Sequence, residues 1–378
     1  MHVMLTREQT CEQTARRLRA ATSDLAALRA LAGLDGFVDE IIAVVDKRTG
    51  HDAFTPVRTI ADLSRKIAGA AGQSSNYELV VRQMKLGGNG PIMANALARL
   101  GVRVTYLGNL GYPTLHPVFE EFARRAEVIS IGEPAHTDAL EFDDGKLMLG
   151  KLTPLGEVTW DNLLARVGRD RLRELVGRSQ LIGMVNWTML PHMSRIWAKL
   201  LDEVIPNVER HHRRLFIDLA DPEKRTHDDI LDALRLLTRF QDQVDVILGL
   251  NLKESLEIAD VLGLPGAADV EAAIEDNARA IRAALGLACV VIHPRRAAAA
   301  ATVDGSARFD GPFIPNPRIS TGAGDHFNAG FCLARVLGFS LPESLCMGVA
   351  TSGYYVRTAE SPGASALADF IDRLPPPQ

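Results

Sequence analysis

The chain has 378 residues, 47% hydrophobic and 24% charged, which suits one large soluble globular domain with or without a small appendage. A formal net charge of −5 argues against a general nucleic-acid partner. The basic pairs Arg124-Arg125 and Arg295-Arg296 and the run His211-His212-Arg213-Arg214 are too short to change that. No uninterrupted apolar run is long enough for a membrane span, and Arg7, Glu8, Glu12, Arg16, Arg17 and Arg19 break any secretion-signal core. The cytoplasm is therefore the expected location. Cys11, Cys289, Cys332 and Cys346 lie far apart without metal-ligand spacing and read as buried free thiols.

Residues 5–28 read as a charged amphipathic helix, opened by Thr6 with Gln9 three positions on, a capping-box pattern. Residues 1–28 are accordingly set apart as an N-terminal helical extension, 29–370 as the main domain and 371–378 as a Pro-rich tail expected to fray. A strand over 28–34 leads into Asp35-Gly36-Phe37-Val38-Asp39-Glu40 and a second β-like run over 41–45. An ionised carboxylate accepts two or more hydrogen bonds, so Asp35 and Asp39 suit sugar hydroxyls; ordinary turn carboxylates fit the pattern equally well. Residues 46–80 are polar and irregular around one helix near 60–70, the mark of a lid or binding loop. Gly87-Gly88-Asn89-Gly90-Pro91 opens a helix over 92–100 that Gly101 closes, and a strand over 102–107 follows.

Further on, 127–131 is a strand and 138–152 a hairpin around Asp143-Asp144-Gly145. Helical stretches near 161–177, 192–210, 227–241, 251–262 and 269–286 flank strands at 180–185, 214–219, 244–248 and 288–292. These strands are short apolar runs without polar alternation. That predicts an α/β fold in which helices cover both faces of a mostly parallel sheet, with ligands beyond the strands' carboxyl ends.

The chemistry concentrates in Ser320-Thr321-Gly322-Ala323-Gly324-Asp325, which follows a short β-like run ending at Pro317. Phe327, Gly330, Phe331, Ala334 and Leu337 then mark one face of a helix. A Gly-Ala-Gly turn at a helix start admits a ligand close to unpartnered N–H groups, which makes an anion cradle. Asp325 is placed to take a proton from a bound hydroxyl, or simply to cap the helix. Asn251 and Glu254, three apart on one helix face, could hold a water-coated Mg²⁺ against phosphates, or could serve as cap and first-turn acid.

Together these segments resemble the ribokinase-like (PfkB) carbohydrate kinase family over about residues 29–370. The resemblance rests on Thr321-Gly-Ala-Gly-Asp-His-Phe-Asn-Ala-Gly-Phe331, on Gly87-Gly88-Asn89-Gly90 with Ala98-Arg99-Leu100-Gly101, and on the Asn-x-x-Glu of Asn251 and Glu254. It implies a three-layer α/β/α fold with a mostly parallel central sheet and a small β lid, drawn from about 40–85 and 138–152. It also implies transfer of the γ-phosphoryl group of ATP to a hydroxyl of a small sugar or sugar-like molecule. Asp325 would be the general base, and the N–H groups of Gly322, Ala323 and Gly324 the anion hole. Thr321, Asn251 and Glu254 would lie at the nucleotide phosphates, with Asn251 and Glu254 holding Mg²⁺ through water. Asp39, Asp35, Gly88 and Asn89 would meet the sugar. Asp218 matches a strand-end Asp of many members. Similar proteins dimerise through their lids, which makes a homodimer through the lid the expectation.

Three departures stand out. Ile319 replaces an Asp that helps a monovalent-cation site, which leaves that cation in doubt. Ile92 stands where an Asn contacts sugar. His293-Pro294-Arg295-Arg296-Ala297-Ala298 stands where the family has T-x-G-x-x-G near the nucleotide, which points to a reshaped pocket. Arg295 or Arg296 either meets phosphate there or is solvated. Two rival readings remain. One is a nucleoside kinase of the same family, with Asn186-Trp187 offering a stacking surface. The other is a non-catalytic sensor of sugar or nucleotide. A nicotinamide-dependent dehydrogenase lacks its G-x-G-x-x-G after the first strand.

Overall fold

The computed structural model describes residues 5–209 and 211–377; residues 1–4 of the extension, residue 210 at the end of the predicted helix 192–210, and Gln378 of the tail lie outside them. In chain order the first half comprises α1 (Arg7–Ala21), β1 (Arg29–Leu34), β2 (Phe37–Arg48), β3 (Phe54–Pro56), α2 (Ile60–Gly69), β4 (Leu79–Gly87), α3 (Asn89–Leu100), β5 (Arg103–Gly108), α4 (Glu120–Ala123), β6 (Glu127–Ser130), β7 (Ala135–Phe142), β8 (Gly145–Lys151), α5 (Trp160–Val167) and α6 (Arg169–Arg178). The second half comprises β9 (Leu181–Val185), α7 (Met193–Glu203), β10 (Arg214–Asp218), α8 (His227–Gln241), β11 (Asp245–Leu250), α9 (Leu252–Val261), α10 (Ile274–Leu285), β12 (Cys289–Ile292), β13 (Ala297–Thr302), β14 (Gly305–Asp310), α11 (Ala323–Val336), α12 (Leu341–Thr358) and α13 (Ala364–Asp372).

A nine-stranded sheet runs β14-β13-β12-β11-β10-β9-β1-β5-β6. It is parallel from β12 to β6, and β13 and β14 add an antiparallel edge. Alternate side chains of each strand enter opposite cores, as a period of two demands. Leu215 and Ile217 join the core that includes α7 and α8, whereas Phe216 between them packs toward α11 and α12. Val290 and Val291 divide in the same way. Both faces are therefore covered, which explains the apolar runs without alternation.

A second, five-stranded sheet has the order β3-β2-β7-β8, with β4 paired to the other side of part of β2. Its own small core of Ile42, Val44, Val57, Leu63 and Leu140 is closed by α2. This is the small β lid. The stretch 46–80 is more regular than it reads from sequence: β2 continues to Arg48, β3 lies within it and β4 begins at its end.

Three other expectations change. The predicted helix over 161–177 is two helices, broken where Gly168 adopts φ +80°. The run before Pro317 is not a strand; residues 311–322 form a loop between β14 and α11. Ala297–Thr302, not foreseen, forms β13, packed beside α10 and α12.

The N-terminal helix docks on the main domain. Thr6 and Gln9 form the capping box read from sequence. Cys11, Ala15 and Leu18 are buried in the core shared with α12 and α13. Arg17 pairs with buried Glu343 at 2.7 Å, and Arg19 reaches Asp369 at 2.7 Å. At the other terminus Leu374 is buried, and Arg7 holds the Pro375 carbonyl at 2.7 Å. All four cysteines are buried and free, as expected.

Candidate active site

Five neighbouring strands place polar residues along one edge of the large sheet. From β12 through β11, β10 and β9 to β1, the strand ends carry His293, Asn251, Asp218, Asn186 and Asp35. Helix α11 reaches several of these positions. Asn328 donates to Asp218 Oδ2 at 2.9 Å, and Phe327 stacks on His293 with centroids 4.7 Å apart. Asp325, in the first turn, accepts from Asn89 Nδ2 at 3.0 Å.

A cleft of about 750 Å³ opens at this edge. Asn89, Asp218, Glu254 and Asp325 line it, as do the apolar side chains of Phe313 and Val356. A separate void of about 40 Å³, enclosed by Leu31, Met184, Leu215 and Phe240, belongs to the apolar core and holds none of this chemistry.

Gly322 caps α11 with φ +90°, a left-handed conformation that favours glycine. A Cβ there would meet Ile92 at 3.2 Å and the Tyr355 hydroxyl at 3.3 Å. The turn is held from behind: the Tyr355 hydroxyl donates to Thr321 O at 3.0 Å, and His326 stacks on Tyr355 at 3.6 Å while bonding Gly322 O at 2.7 Å. Thr321, Gly322, Ala323 and Gly324 all line the cleft. The Ala323 N–H donates to Ser320 O at 3.2 Å, so the N–H groups of Gly322 and Gly324 are the freer part of the cradle.

Burial pushes the Asp325 carboxyl up to about 8, and the charges of Asp35 and Glu254 add to the rise against the opposing hydrogen bond from Asn89. Asp218 lies well above the usual carboxylate range through burial and the charges of Glu254 and Asp325. Burial also raises Glu254, although the N–H groups of Asn251 and Asp221 bond it. Asn251 and Glu254 do form a capping box for α9: Asn251 Oδ1 accepts the Glu254 N–H at 3.0 Å, and Glu254 Oε2 accepts the Asn251 N–H at 2.9 Å. They line the cleft as well, so the capping role and a ligand-facing position coexist.

Among the described residues no three His, Cys, Asp or Glu side chains are placed to ligate a metal directly. The donor set nonetheless suits a hard, hydrated dication. It consists of oxygen atoms, and its carboxylates raise one another's pKa values, a repulsion that a cation between them relieves.

The residues assigned to sugar sit differently. Asp35 is completely buried and does not line the cleft. It accepts from Gly90 N at 3.0 Å and Asn186 Nδ2 at 2.8 Å, and the Tyr106 hydroxyl lies 2.7 Å from its main-chain O. Burial raises its carboxyl to about 6. Gly90 has no room for a side chain: a Cβ would come 2.2 Å from the Tyr106 hydroxyl and 2.4 Å from Asp35 Oδ1. Gly88, with φ +92°, packs on Asp35 and joins β4 to α3. Asp39 lies on lid strand β2, opposite Lys85 of β4 and Thr137 of β7. Its carboxyl is raised by burial and eased by those two neighbours. Asp39 and Gly88 also fall outside the lining of the cleft. Trp187 is buried, donates to Ser194 Oγ at 2.8 Å and carries Arg225 over its ring, so it offers no face for a nucleobase.

Sequence reasoning left Asp218 outside its main set and passed over Tyr106, Asn186 as a partner of Asp35, Asn328 and His293. The strand-end positions of Asp218 and His293 were the available signal. Tyr106 and Asn328 join the site only through pairing across the fold.

Comparison with known proteins agrees with this geometry. A family model described as prokaryotic ketohexokinase matches residues 6–374. A ketohexokinase from Haloferax volcanii is 31% identical over 347 residues, covering 90% of each chain. Among solved structures, a phosphofructokinase-2 variant from Escherichia coli aligns with a TM-score of 0.62 at 12% identity, over 92% of this chain and 98% of the other. A Methanocaldococcus jannaschii nucleoside kinase, an archaeal member of the ribokinase family, aligns with a TM-score of 0.60 at 13% identity, over 91% and 98%. At such identities these two speak to the fold, which is ribokinase-like. With nearly the whole chain matched, the protein belongs to the prokaryotic ketohexokinase family and is a carbohydrate kinase.

Proposed function

We propose that the protein transfers the γ-phosphoryl group of ATP to a hydroxyl of a ketohexose, with Asp325 as the proton acceptor. The observation that carries this reading is the buried Asp325 carboxyl, which lines a cleft of about 750 Å³ from the first turn of α11, beside the N–H groups of Gly322 and Gly324. In the transfer the hydroxyl oxygen bonds to phosphorus, the bond to ADP breaks and the hydroxyl proton passes to Asp325. The N–H groups at the helix start stabilise the charge on the transferring oxygens. Asn89 keeps Asp325 oriented and favours its ionised form. Mg²⁺, when bound, offsets charge on the phosphates, and Asn251, Glu254 and Asp218 are the residues that would hold its water shell. The apolar lining at Phe313 and Val356 would take the nucleoside end of ATP.

The ketohexose assignment follows the names of the family and of the Haloferax relative. The buried Trp187 weakens the nucleoside reading. A coupled ADP-release screen across ketohexoses, aldohexoses, pentoses, polyols and nucleosides tests the choice. Ketohexoses should give the highest kcat/KM. Nucleosides outcompeting every sugar would overturn the assignment, and ligand binding without ADP release would favour a sensor.

A further inference from the structure

Charge is distributed unevenly in the cleft. Asp218, Asp221, Glu254 and Asp325 line it, and among the described residues Arg295 is the only Lys or Arg that does. Arg295 lies in the turn between β12 and β13, three residues beyond Ile292. It is exposed, and no acidic side chain among the described residues pairs with it. Its neighbour Arg296 is engaged otherwise: its guanidinium lies 4.2 Å from the Phe313 ring centroid, and its carbonyl accepts the Gly311 N–H at 2.7 Å. Arg296 thus packs on Phe313 of the cleft wall, and Arg295 is an exposed side chain that lines the cleft.

The same turn touches the cradle. A Cβ on Gly324 would come 3.3 Å from the His293 ring, so the 293–295 segment and the start of α11 bracket one path through the cleft. His293 contributes no charge, since burial lowers its ring to about 4. A polyphosphate entering this path meets several carboxylates and one cationic side chain. A guanidinium supplies paired, charge-assisted hydrogen bonds to phosphate oxygens, and it stays charged at any working pH.

We propose that Arg295 is the donor-reading residue of this kinase, binding the phosphates of the nucleotide beside the cradle. This rests on the kinase reading above. It also accounts for the absence of glycines at 295 and 298: a side-chain contact takes the place of a close backbone approach.

The test uses the full chain and the variants Arg295→Ala and Arg295→Lys. Arg295→Ala should raise KM for MgATP about tenfold, the usual scale for a charged hydrogen bond, with Arg295→Lys intermediate. KM for the sugar and kcat should stay within about twofold, as expected of uniform binding. Calorimetry should show weaker binding of MgADP by a similar factor and unchanged binding of adenosine. Unaltered ADP binding in Arg295→Ala would overturn the proposal, and so would equal weakening of ADP and adenosine. ADP binding lost in Arg295→Ala, in an enzyme that phosphorylates no sugar, would uphold the donor contact and refute the kinase reading instead.

Discussion

Replacing Asp325 with Asn keeps the shape of the side chain and an oxygen for Asn89, but removes the proton that titrates. The carboxyl stands at about 8 in the folded protein against an ordinary 3.8. An acid raised in this way contributes stability that is complete below the unfolded value and is lost as pH rises through the folded one. At roughly 1.36 kcal/mol per pH unit above 3.8, its ionisation favours the unfolded chain by on the order of 4 kcal/mol at pH 7. Water in the open cleft makes that an upper value. With an unfolding entropy near 2.1 cal/mol/K for each of 378 residues, 4 kcal/mol corresponds to about 5 °C. Asp325→Asn should therefore melt higher than the wild type by about 5 °C at pH 7 and only about 2 °C at pH 5. Its kcat should fall by about 10²- to 10⁴-fold. Calorimetric melts at pH 5, 6, 7 and 8, paired with ADP-release assays, measure both. A variant that melts lower at every pH would mean the carboxyl is ionised and paired in the native state. A kcat within tenfold of wild type would remove Asp325 as the base.

In the wild type, kcat/KM should climb with pH toward about 8 as Asp325 loses its proton; a flat profile over pH 6–8.5 would contradict that base. Asp35→Ala leaves the buried Gly90 N–H and the Asn186 amide short of an acceptor, while the Tyr106 hydroxyl keeps the main-chain O of residue 35, and should lower stability by about 3 kcal/mol in denaturant titrations. A loss under about 1 kcal/mol would mean that water replaces the carboxylate. Gly330→Ala puts a Cβ 2.2 Å from Thr351 Oγ1 and 2.8 Å from Met347 O, forcing α11 from α12 at about 2–3 kcal/mol. Gly266→Ala, with nothing within 4 Å, should change stability by less than about 0.5 kcal/mol in the same titration. Chelation should abolish ADP release and Mg²⁺ restore it, with Glu254→Gln shifting the Mg²⁺ needed for half activity upward; an unshifted requirement would place the cation elsewhere.

How far the sequence could be read depended on whether the information was local. The strands from β9 to β12 were recognisable because burial on both faces leaves unbroken apolar runs. The start of α11 was recognisable because a left-handed cap needs Gly322. Strand β4 was missed because Leu79, Val81 and Met84 are exposed beside Arg82 and Gln83, so no clean alternation marks it. Strand β13 was missed because Ala297–Ala301 has little intrinsic preference for a strand and owes its form to the strands paired on either side of it. The acids at 35 and 39 read as equivalent, yet one is sealed among Gly90, Tyr106 and Asn186 while the other lies on the lid. Those partners come from separate parts of the chain, and pairing at that range has no local signature.

Asn89 stands two residues beyond Gly87, the last residue of lid strand β4, and its amide donates to Asp325. The lid strand and the Asp325 carboxyl are thus joined through one amide. A displacement of β4 would therefore disturb a hydrogen bond that favours the ionised form of the Asp325 carboxyl.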